Sequence, residues 1–277
     1  MAQERKSQKN NLVVSAGDVV GGGTGDVERQ KAEFAFAALG KMGYDAVALG
    51  EYEFFHGLDF LEAQMQKYPF FVCTNVVWAD TGKPIANPVI YRTYRLDAAP
   101  GRPARAITVA IVGVLSDVLT ASIENVVNES PRRISILDPF EETRKIVEAA
   151  RKKAQLVVAL AHMEDKQARE MVLQVPGIDI IILGHGFVRR ITEPQKVNST
   201  LLVGESNQGK FIAQLILALD SKGKVEAASG TSIPMDEAIA DNPEIAKMLN
   251  EAKEKWAPPS PPKPASGQAG TAAPAGK

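Results

Sequence analysis

Short apolar runs alternate with stretches of helical spacing along most of this chain. Runs rich in β-branched and aliphatic side chains predict buried strands, whereas apolar residues recurring every three to four positions predict helices. The predicted strands are residues 12–16, 46–49, 70–75, 89–96, 107–115, 156–161, 178–183, 201–204 and 211–219. The predicted helices are residues 26–42, 58–67, 140–154, 166–175 and 243–256. This alternation predicts an α/β fold with helices covering a buried sheet, which the strands at 201–204 and 211–219 close.

The two ends of the chain differ in composition from the region between them. Residues 1–11 are polar, and residues 257–277 are rich in Pro, Ala, Gly and Ser without a large apolar side chain. Such a segment cannot bury enough surface to offset its loss of conformational entropy. We therefore predict one domain at residues 12–256, followed by a disordered tail that could lead to a further module or a protein partner.

Composition excludes several classes of protein. The 277 residues carry 32 Lys and Arg against 33 Asp and Glu, a formal charge of −1 that argues against a general nucleic-acid binder. A single cysteine, Cys73, excludes an internal disulfide and a cysteine-rich metal site. No apolar run approaches the ~18 residues of a membrane span, and no signal peptide is visible.

Two glycine-rich loops resemble phosphate-binding loops only superficially. Residues 21–25 do not fit G-x-G-x-x-G, because Asp26 occupies the third glycine position. Residues 204–210 fit G-x4-G-K, but Phe211 replaces the Ser or Thr that would hold magnesium. Neither loop predicts a nucleoside-triphosphate site.

A sharper pattern is that four strand-to-loop junctions each carry a potential metal ligand. His162 follows an apolar run directly, whereas Asp18, Glu51 and His185 each follow an apolar run and one glycine. In open α/β folds, binding sites form beyond the carboxyl ends of the strands. Two carboxylates and two imidazoles make a ligand set for zinc, manganese or iron. The sequence therefore predicts a site for a divalent metal ion at these four positions.

These residues also carry a family resemblance. The order GD, GEYE, AH and GHGF is similar to the GD, GNHE, (S/T)H and GHxH motifs of the calcineurin-like metallophosphoesterases, in their 5'-nucleotidase branch. The resemblance extends over residues 12–256. It implies a four-layer αββα sandwich, with two mixed sheets packed back to back and helices outside.

The motifs depart from the family in ways that bear on catalysis. The family's initial D-x-H motif has no counterpart, so the first strand and helix are expected to be missing or altered. Tyr52 replaces the His of GNHE, Phe55 replaces the Asp that supports that His, and Phe187 replaces the second His of GHxH. The resemblance thus implies the loss of one of two metal sites and of the His–Asp pair. The other site is retained with a Glu in place of Asn.

Two functions follow as expectations. One is a divergent 5'-nucleotidase-type phosphoester hydrolase with at most one metal ion and weak activity, acting on a nucleotide or another phosphoester. The alternative is a non-catalytic metal- or ligand-binding module on the same scaffold.

His56 could replace the lost acid–base group, although a loop histidine is the simpler interpretation. Spacing assigns no role to Glu53 or Glu164. The resemblance also favours a periplasmic or exported location. A chain trimmed at its N-terminus would likewise show no signal peptide.

Overall fold

The computed structural model describes residues 10–98, 103–130, 132–185, 191–205 and 209–256. The helices are α1 (Asp26–Met42), α2 (Leu58–Lys67), α3 (Thr120–Glu129), α4 (Pro139–Ala150), α5 (Asp165–Gln174) and α6 (Pro243–Trp256), with 3₁₀ turns at Tyr52–Phe54 and Asp117–Leu119. The strands are β1 (Val14–Ser15), β2 (Ala46–Ala48), β3 (Phe71–Val72), β4 (Val76–Trp78), β5 (Ile90–Leu96), β6 (Arg105–Leu115), β7 (Ile134–Ile136), β8 (Leu156–His162), β9 (Ile180–Leu183), β10 (Ile191–Val197), β11 (Thr200–Gly204), β12 (Phe211–Leu219) and β13 (Val225–Pro234).

Two sheets form the centre of the structure. The smaller sheet has the order β1-β2-β3, with all three strands parallel. The larger sheet has the order β10-β11-β9-β8-β6-β5. Its four inner strands are parallel, and β10 and β5 run antiparallel at its edges. Parallel neighbours end at the same edge of each sheet, which brings the loops after β1, β2, β8 and β9 together.

Three apolar cores lie between four layers. The inner core joins the two sheets through small residues of the first sheet, such as Ala48, and branched residues of the second, such as Ile111. A second core packs α1 and α2 on the outer face of the smaller sheet around Phe36. A third packs α4 and α5 on the outer face of the larger sheet around Val147. The predicted αββα sandwich is therefore confirmed.

Most predicted elements are present, with shifted ends. The helices predicted at 26–42, 58–67 and 243–256 have these bounds in the structure. The helix predicted at 140–154 begins at Pro139 and ends at Ala150. Its start has a local cause: Asp138 Oδ1 accepts hydrogen bonds from the N–H groups of Phe140 (2.8 Å) and Glu141 (2.7 Å), with proline in the first turn.

The prediction that residues 211–219 close the central sheet is wrong. Strand β12 instead pairs antiparallel with β13 in a two-stranded sheet. The two strands are joined by a turn in which Asp220 Oδ1 accepts hydrogen bonds from the N–H groups of Lys222 and Lys224, both at 2.8 Å. Gly223, with φ 83°, completes the reversal. The chain therefore folds β13 back along β12 as a hairpin.

Two predictions fall partly or wholly outside the described residues. The predicted disordered tail at 257–277 lies there, as does Phe187, so both stay predictions. The domain bounds at 11 and 256 likewise stay a prediction. Within the described ranges, no helix combines the length and the apolar character that a membrane crossing needs.

Candidate metal centre

The four predicted ligands meet at the edge where both sheets end. One potential ligand atom each from Asp18, Glu51, His162 and His185 lies within 4.8 Å of all the others. We call these four residues the ligand cluster. The smaller sheet supplies the two carboxylates, and the larger sheet supplies the two imidazoles. The structure thus brings the four side chains together, and their role as ligands stays a prediction.

His162 is held in one orientation by its neighbours. It is the last residue of β8 and is fully buried, with 0% of its side chain exposed. Its Nδ1 lies 2.7 Å from the carbonyl oxygen of Ala16, which can only accept, so Nδ1 carries a proton. Its Nε2 then faces Glu51 Oε2 at 2.7 Å and Asp18 Oδ2 at 3.4 Å. This backbone contact fixes the ring so that Nε2 points into the cluster.

His185 completes the cluster from the next strand. Its Nδ1 lies 3.3 Å from His162 Nε2 and 3.2 Å from Glu51 Oε1. Glu51 therefore contacts both imidazoles, one through each carboxylate oxygen. With 24% of its side chain exposed, His185 forms the outer wall of the cluster, whereas His162 forms its floor.

Without a bound cation, the buried acids favour a proton on His162. Burial opposes the charged ring, but hydrogen bonds to Asp18 and Glu51 outweigh it and raise the pKa of His162 to about 10. Burial alone would raise the pKa of Glu51, but hydrogen bonding and the nearby charges of His162 and His185 together outweigh burial and lower it. The two carboxylates of Glu51 and Asp18 therefore stabilise positive charge beside His162 Nε2.

Glu53 is a site residue to which the sequence assigned no role. It lies in the 3₁₀ turn and is fully buried. Its carboxylate accepts hydrogen bonds from the N–H groups of Asp18 (3.0 Å), Val19 (2.8 Å) and Gly50 (2.7 Å). Burial and the nearby charge of Asp18 raise its pKa to about 7. One sequence signal could have identified it: an acid inside the apolar run from Tyr52 to Phe55.

Glycines permit the close approach of the two carboxylate loops. A Cβ on Gly50 would lie 2.6 Å from His162 Cε1 and would overlap Asp18 Oδ1. A Cβ on Gly17 would lie 2.7 Å from His162 Nδ1, and Gly17 has φ 98°. Any larger residue at either position would push the cluster apart.

Tyr52 and Phe55, which the motif resemblance aligns with the family's His–Asp pair, pack against apolar neighbours. The Tyr52 and Phe55 ring centroids lie 5.1 Å apart, and both rings pack against the core under α1 and α2. His56 packs edge-on against Phe60 at 5.4 Å between centroids and does not join the ligand cluster. Glu164 is exposed at the start of α5. The structure therefore gives neither His56 nor Glu164 a contact with the cluster among the described residues.

The donor set fits a divalent ion. Two carboxylates and two imidazoles match the nitrogen and oxygen preferences of zinc, manganese and iron. The orientation of His162 fits as well, because a ligating histidine commonly donates its other ring N–H to a backbone carbonyl. Both the donor chemistry and the orientation of His162 are therefore compatible with a candidate metal centre.

The family model described as calcineurin-like phosphoesterase matches residues 1–186. The chain belongs to this family. It is 31% identical over 189 residues to a 5'-nucleotidase of Vibrio cholerae, an alignment that covers 63% of this chain and 32% of the relative. It is 27% identical over 287 residues to the protein UshA of Yersinia enterocolitica, covering 86% of this chain and 50% of that protein. The chain thus spans a third to a half of these relatives' length.

Solved structures show the same fold. The calcineurin-like phosphoesterase YfkN of Bacillus subtilis superimposes with a TM-score of 0.75 at 18% identity, over 92% of this chain and 86% of that chain. The 5'-nucleotidase precursor of Thermus thermophilus superimposes with a TM-score of 0.72 at 22% identity, over 91% and 51%. These likenesses confirm the metallophosphoesterase fold that the sequence motifs predicted.

Proposed function

We propose that this domain binds one divalent metal ion through Asp18, Glu51, His162 and His185 and hydrolyses a phosphoester slowly. The observation that carries the proposal is the convergence of these side chains within 4.8 Å at the shared edge of two sheets. Membership in a family of metal-dependent phosphoesterases supports it.

The residues would divide the work by their chemistry. The His162 ring, oriented by Ala16, and the His185 ring offer nitrogen donors. Glu51 and Asp18 offer anionic oxygens that balance the positive charge of the ion. A bound divalent ion supplies Lewis acidity toward a phosphoryl oxygen and lowers the pKa of water.

Weak activity follows from Tyr52 and Phe55. A phenolic hydroxyl is a poor proton relay at neutral pH, and the phenyl ring of Phe55 cannot orient it. The absence of one general acid–base group costs about 10²–10⁴-fold in rate. We therefore expect turnover well below that of a two-metal enzyme with the His–Asp pair.

The substrate class rests on the relatives. Several curated relatives are named 5'-nucleotidases, including those of Vibrio cholerae and Homo sapiens, which supports a nucleotide or a related phosphoester. Because the chain spans only part of these proteins, nucleotide selectivity, a further domain or partner at the C-terminal side, and an exported location remain proposals.

One observation favours a second candidate, a non-catalytic metal- or ligand-binding module. The Tyr52 and Phe55 rings pack on each other and into the core, so the positions of the family's acid–base pair are filled with apolar contacts. In this case the scaffold would bind the ion or a phosphate ligand without turnover.

Metal stoichiometry tests the proposed site. We expect about one ion per chain by native mass spectrometry after loading with zinc or manganese, and its loss in His185→Ala. His56→Ala is the matched control, since His56 lies outside the cluster and should retain the ion. Two ions in the wild type, or retention in His185→Ala, would contradict the proposal.

Turnover separates the two candidate functions. We would assay metal-loaded protein with p-nitrophenyl phosphate and AMP, next to the double variant Tyr52→His with Phe55→Asp. The two positions are three residues apart on one turn, with ring centroids at 5.1 Å, so the new imidazole and carboxylate could meet. The hydrolase predicts metal-dependent turnover that rises by up to about 10²–10⁴-fold in the variant. Metal binding without turnover in the wild type would support the module.

A further inference from the structure

The buried carboxylate of Glu53 joins the two loops that carry Asp18 and Glu51. Its Oε2 accepts hydrogen bonds from the N–H groups of Asp18 and Gly50, and its Oε1 accepts one from Val19. A fourth bond runs in the opposite direction, from the Tyr52 N–H to Asp18 Oδ1 at 3.0 Å. The loop after β1 and the loop after β2 are thus connected by three hydrogen bonds across more than 30 residues of sequence, and the bond from Gly50 to Glu53 lies within the second loop.

The backbone at Asp18 explains why an acceptor is needed there. Asp18 has φ 53° and follows Gly17 at φ 98°, a left-handed pair that turns successive N–H groups inward. A non-glycine residue in this conformation persists only where its surroundings hold it. The Glu53 carboxylate supplies that hold, because it satisfies the N–H groups of both Asp18 and Val19.

We propose that Glu53 is a positioning residue that assembles the metal centre by fixing the backbone under Asp18 and Glu51 before the ion binds. This inference rests on the proposed function of the ligand cluster. Glu53 belongs to the supporting groups and not to the ligands, since it lies outside the ligand cluster and its two oxygens accept three backbone N–H bonds.

Only a carboxylate of this length meets the requirement. Two oxygens accept three N–H bonds here, whereas a glutamine offers one oxygen and turns an NH₂ group toward N–H donors. An aspartate keeps both oxygens but is one methylene shorter and cannot reach all three donors. Glu53→Gln is therefore an isosteric change that loses at least one of the three N–H bonds while keeping the volume of the side chain.

Amide hydrogen exchange on the metal-free protein tests the positioning role without reference to metal. We expect the N–H groups of Asp18, Val19 and Gly50 to exchange faster in Glu53→Gln, while strand amides in β6 stay protected. Val147→Ala is the control, because Val147 is buried in the core under α4, away from the cluster. It should lower global stability without selective loss at these three amides. Unchanged protection in Glu53→Gln would overturn the inference.

Titration with Co²⁺ tests the consequence for the metal centre. Altering a group that orients metal ligands typically lowers affinity by about 10–100-fold, and we expect this range for Glu53→Gln with a changed visible spectrum of the bound ion. Val147→Ala should bind like the wild type. An affinity loss equal in both variants would overturn the positioning role, since global destabilisation alone would then explain it.

The exchange experiment and the Co²⁺ titration together distinguish failure of this inference from failure of the proposed function. If the wild type binds no ion, the proposed function is wrong, and the exchange data alone decide whether Glu53 positions the loops. If the wild type binds and Glu53→Gln binds equally well, the positioning role is wrong while the metal site stands. Should Glu53→Gln fail to fold, Glu53→Asp carries the same test.

Discussion

The two halves of the ligand cluster are built by different means. The imidazole half belongs to the larger sheet, where β8 is a seven-residue strand flanked on both sides by parallel neighbours. His162 is its final residue and pairs in register with Leu115 of β6. The carboxylate half belongs to the smaller sheet, where β1 has two residues and β2 has three.

This difference shows which contacts fix the side-chain positions in each half of the cluster. Ladder hydrogen bonds place His162, and one further bond to Ala16 sets its ring. The short strands leave the loops of Asp18 and Glu51 outside any ladder, so these loops depend on side-chain and steric devices. The buried carboxylate of Glu53 and the close approach at Gly50 supply them.

The largest expected effect on stability comes from replacing His162, which contacts the carboxylates of both Glu51 and Asp18. His162→Ala leaves Glu51 and Asp18 without their partner in a buried site, and it removes the bond to Ala16. We expect the metal-free protein to lose about 3–5 kcal/mol of unfolding free energy, as on breaking a buried ion pair. Urea unfolding followed by circular dichroism measures this loss.

The control for this variant is His56→Ala, which changes a histidine that packs on Phe60 outside the cluster. It should lose clearly less stability than His162→Ala. Equal losses would show that His162 acts as an ordinary packed ring and that the two halves are not joined through it.

The imidazole half was predictable from the sequence, because its geometry follows from local pattern. A long apolar run ending in His162, and a second one ending just before His185, predict two adjacent parallel strands with their ends together. The same rule, that ligands follow the ends of apolar strands, also predicts Asp18 and Glu51 as ligand positions. It could not find Glu53, since its three donors include two from a loop 34 and 35 residues away.

The prediction that β12 joins the central sheet is wrong for a related reason. Strand β12 has a clear apolar pattern, but β13 reads VEAASGTSIP and alternates only weakly. The sequence therefore shows no hairpin partner for β12, and its apolar pattern favours the central sheet. The turn at Asp220 joins the two strands through backbone contacts that the hydrophobic pattern does not show.

A smaller effect tests the carboxylate half alone. Gly50→Ala would place a Cβ against Asp18 Oδ1 and 2.6 Å from His162 Cε1, so the loop must shift. We expect a loss of about 1–3 kcal/mol, typical of overpacking, together with weaker zinc binding by isothermal titration.

Gly21→Ala is the matched control for that variant. A Cβ on Gly21 meets nothing within 4 Å, so stability and zinc affinity should stay at the wild-type level. If Gly50→Ala bound zinc as tightly as Gly21→Ala, the close approach at Gly50 would not determine the position of the carboxylates.

The smallest effect on stability is expected at the outer wall of the cluster. His185 is partly exposed, and Glu51 keeps its shorter contact to His162 when His185 is replaced. His185→Ala should therefore lower the unfolding free energy of the metal-free protein by about 1 kcal/mol, the net worth of one hydrogen bond. The same substitution should abolish stable metal binding, because it removes one of four donors. This separation of stability from affinity is what distinguishes a ligand from a structural residue. A loss as large as that of His162→Ala would place His185 in the supporting framework instead.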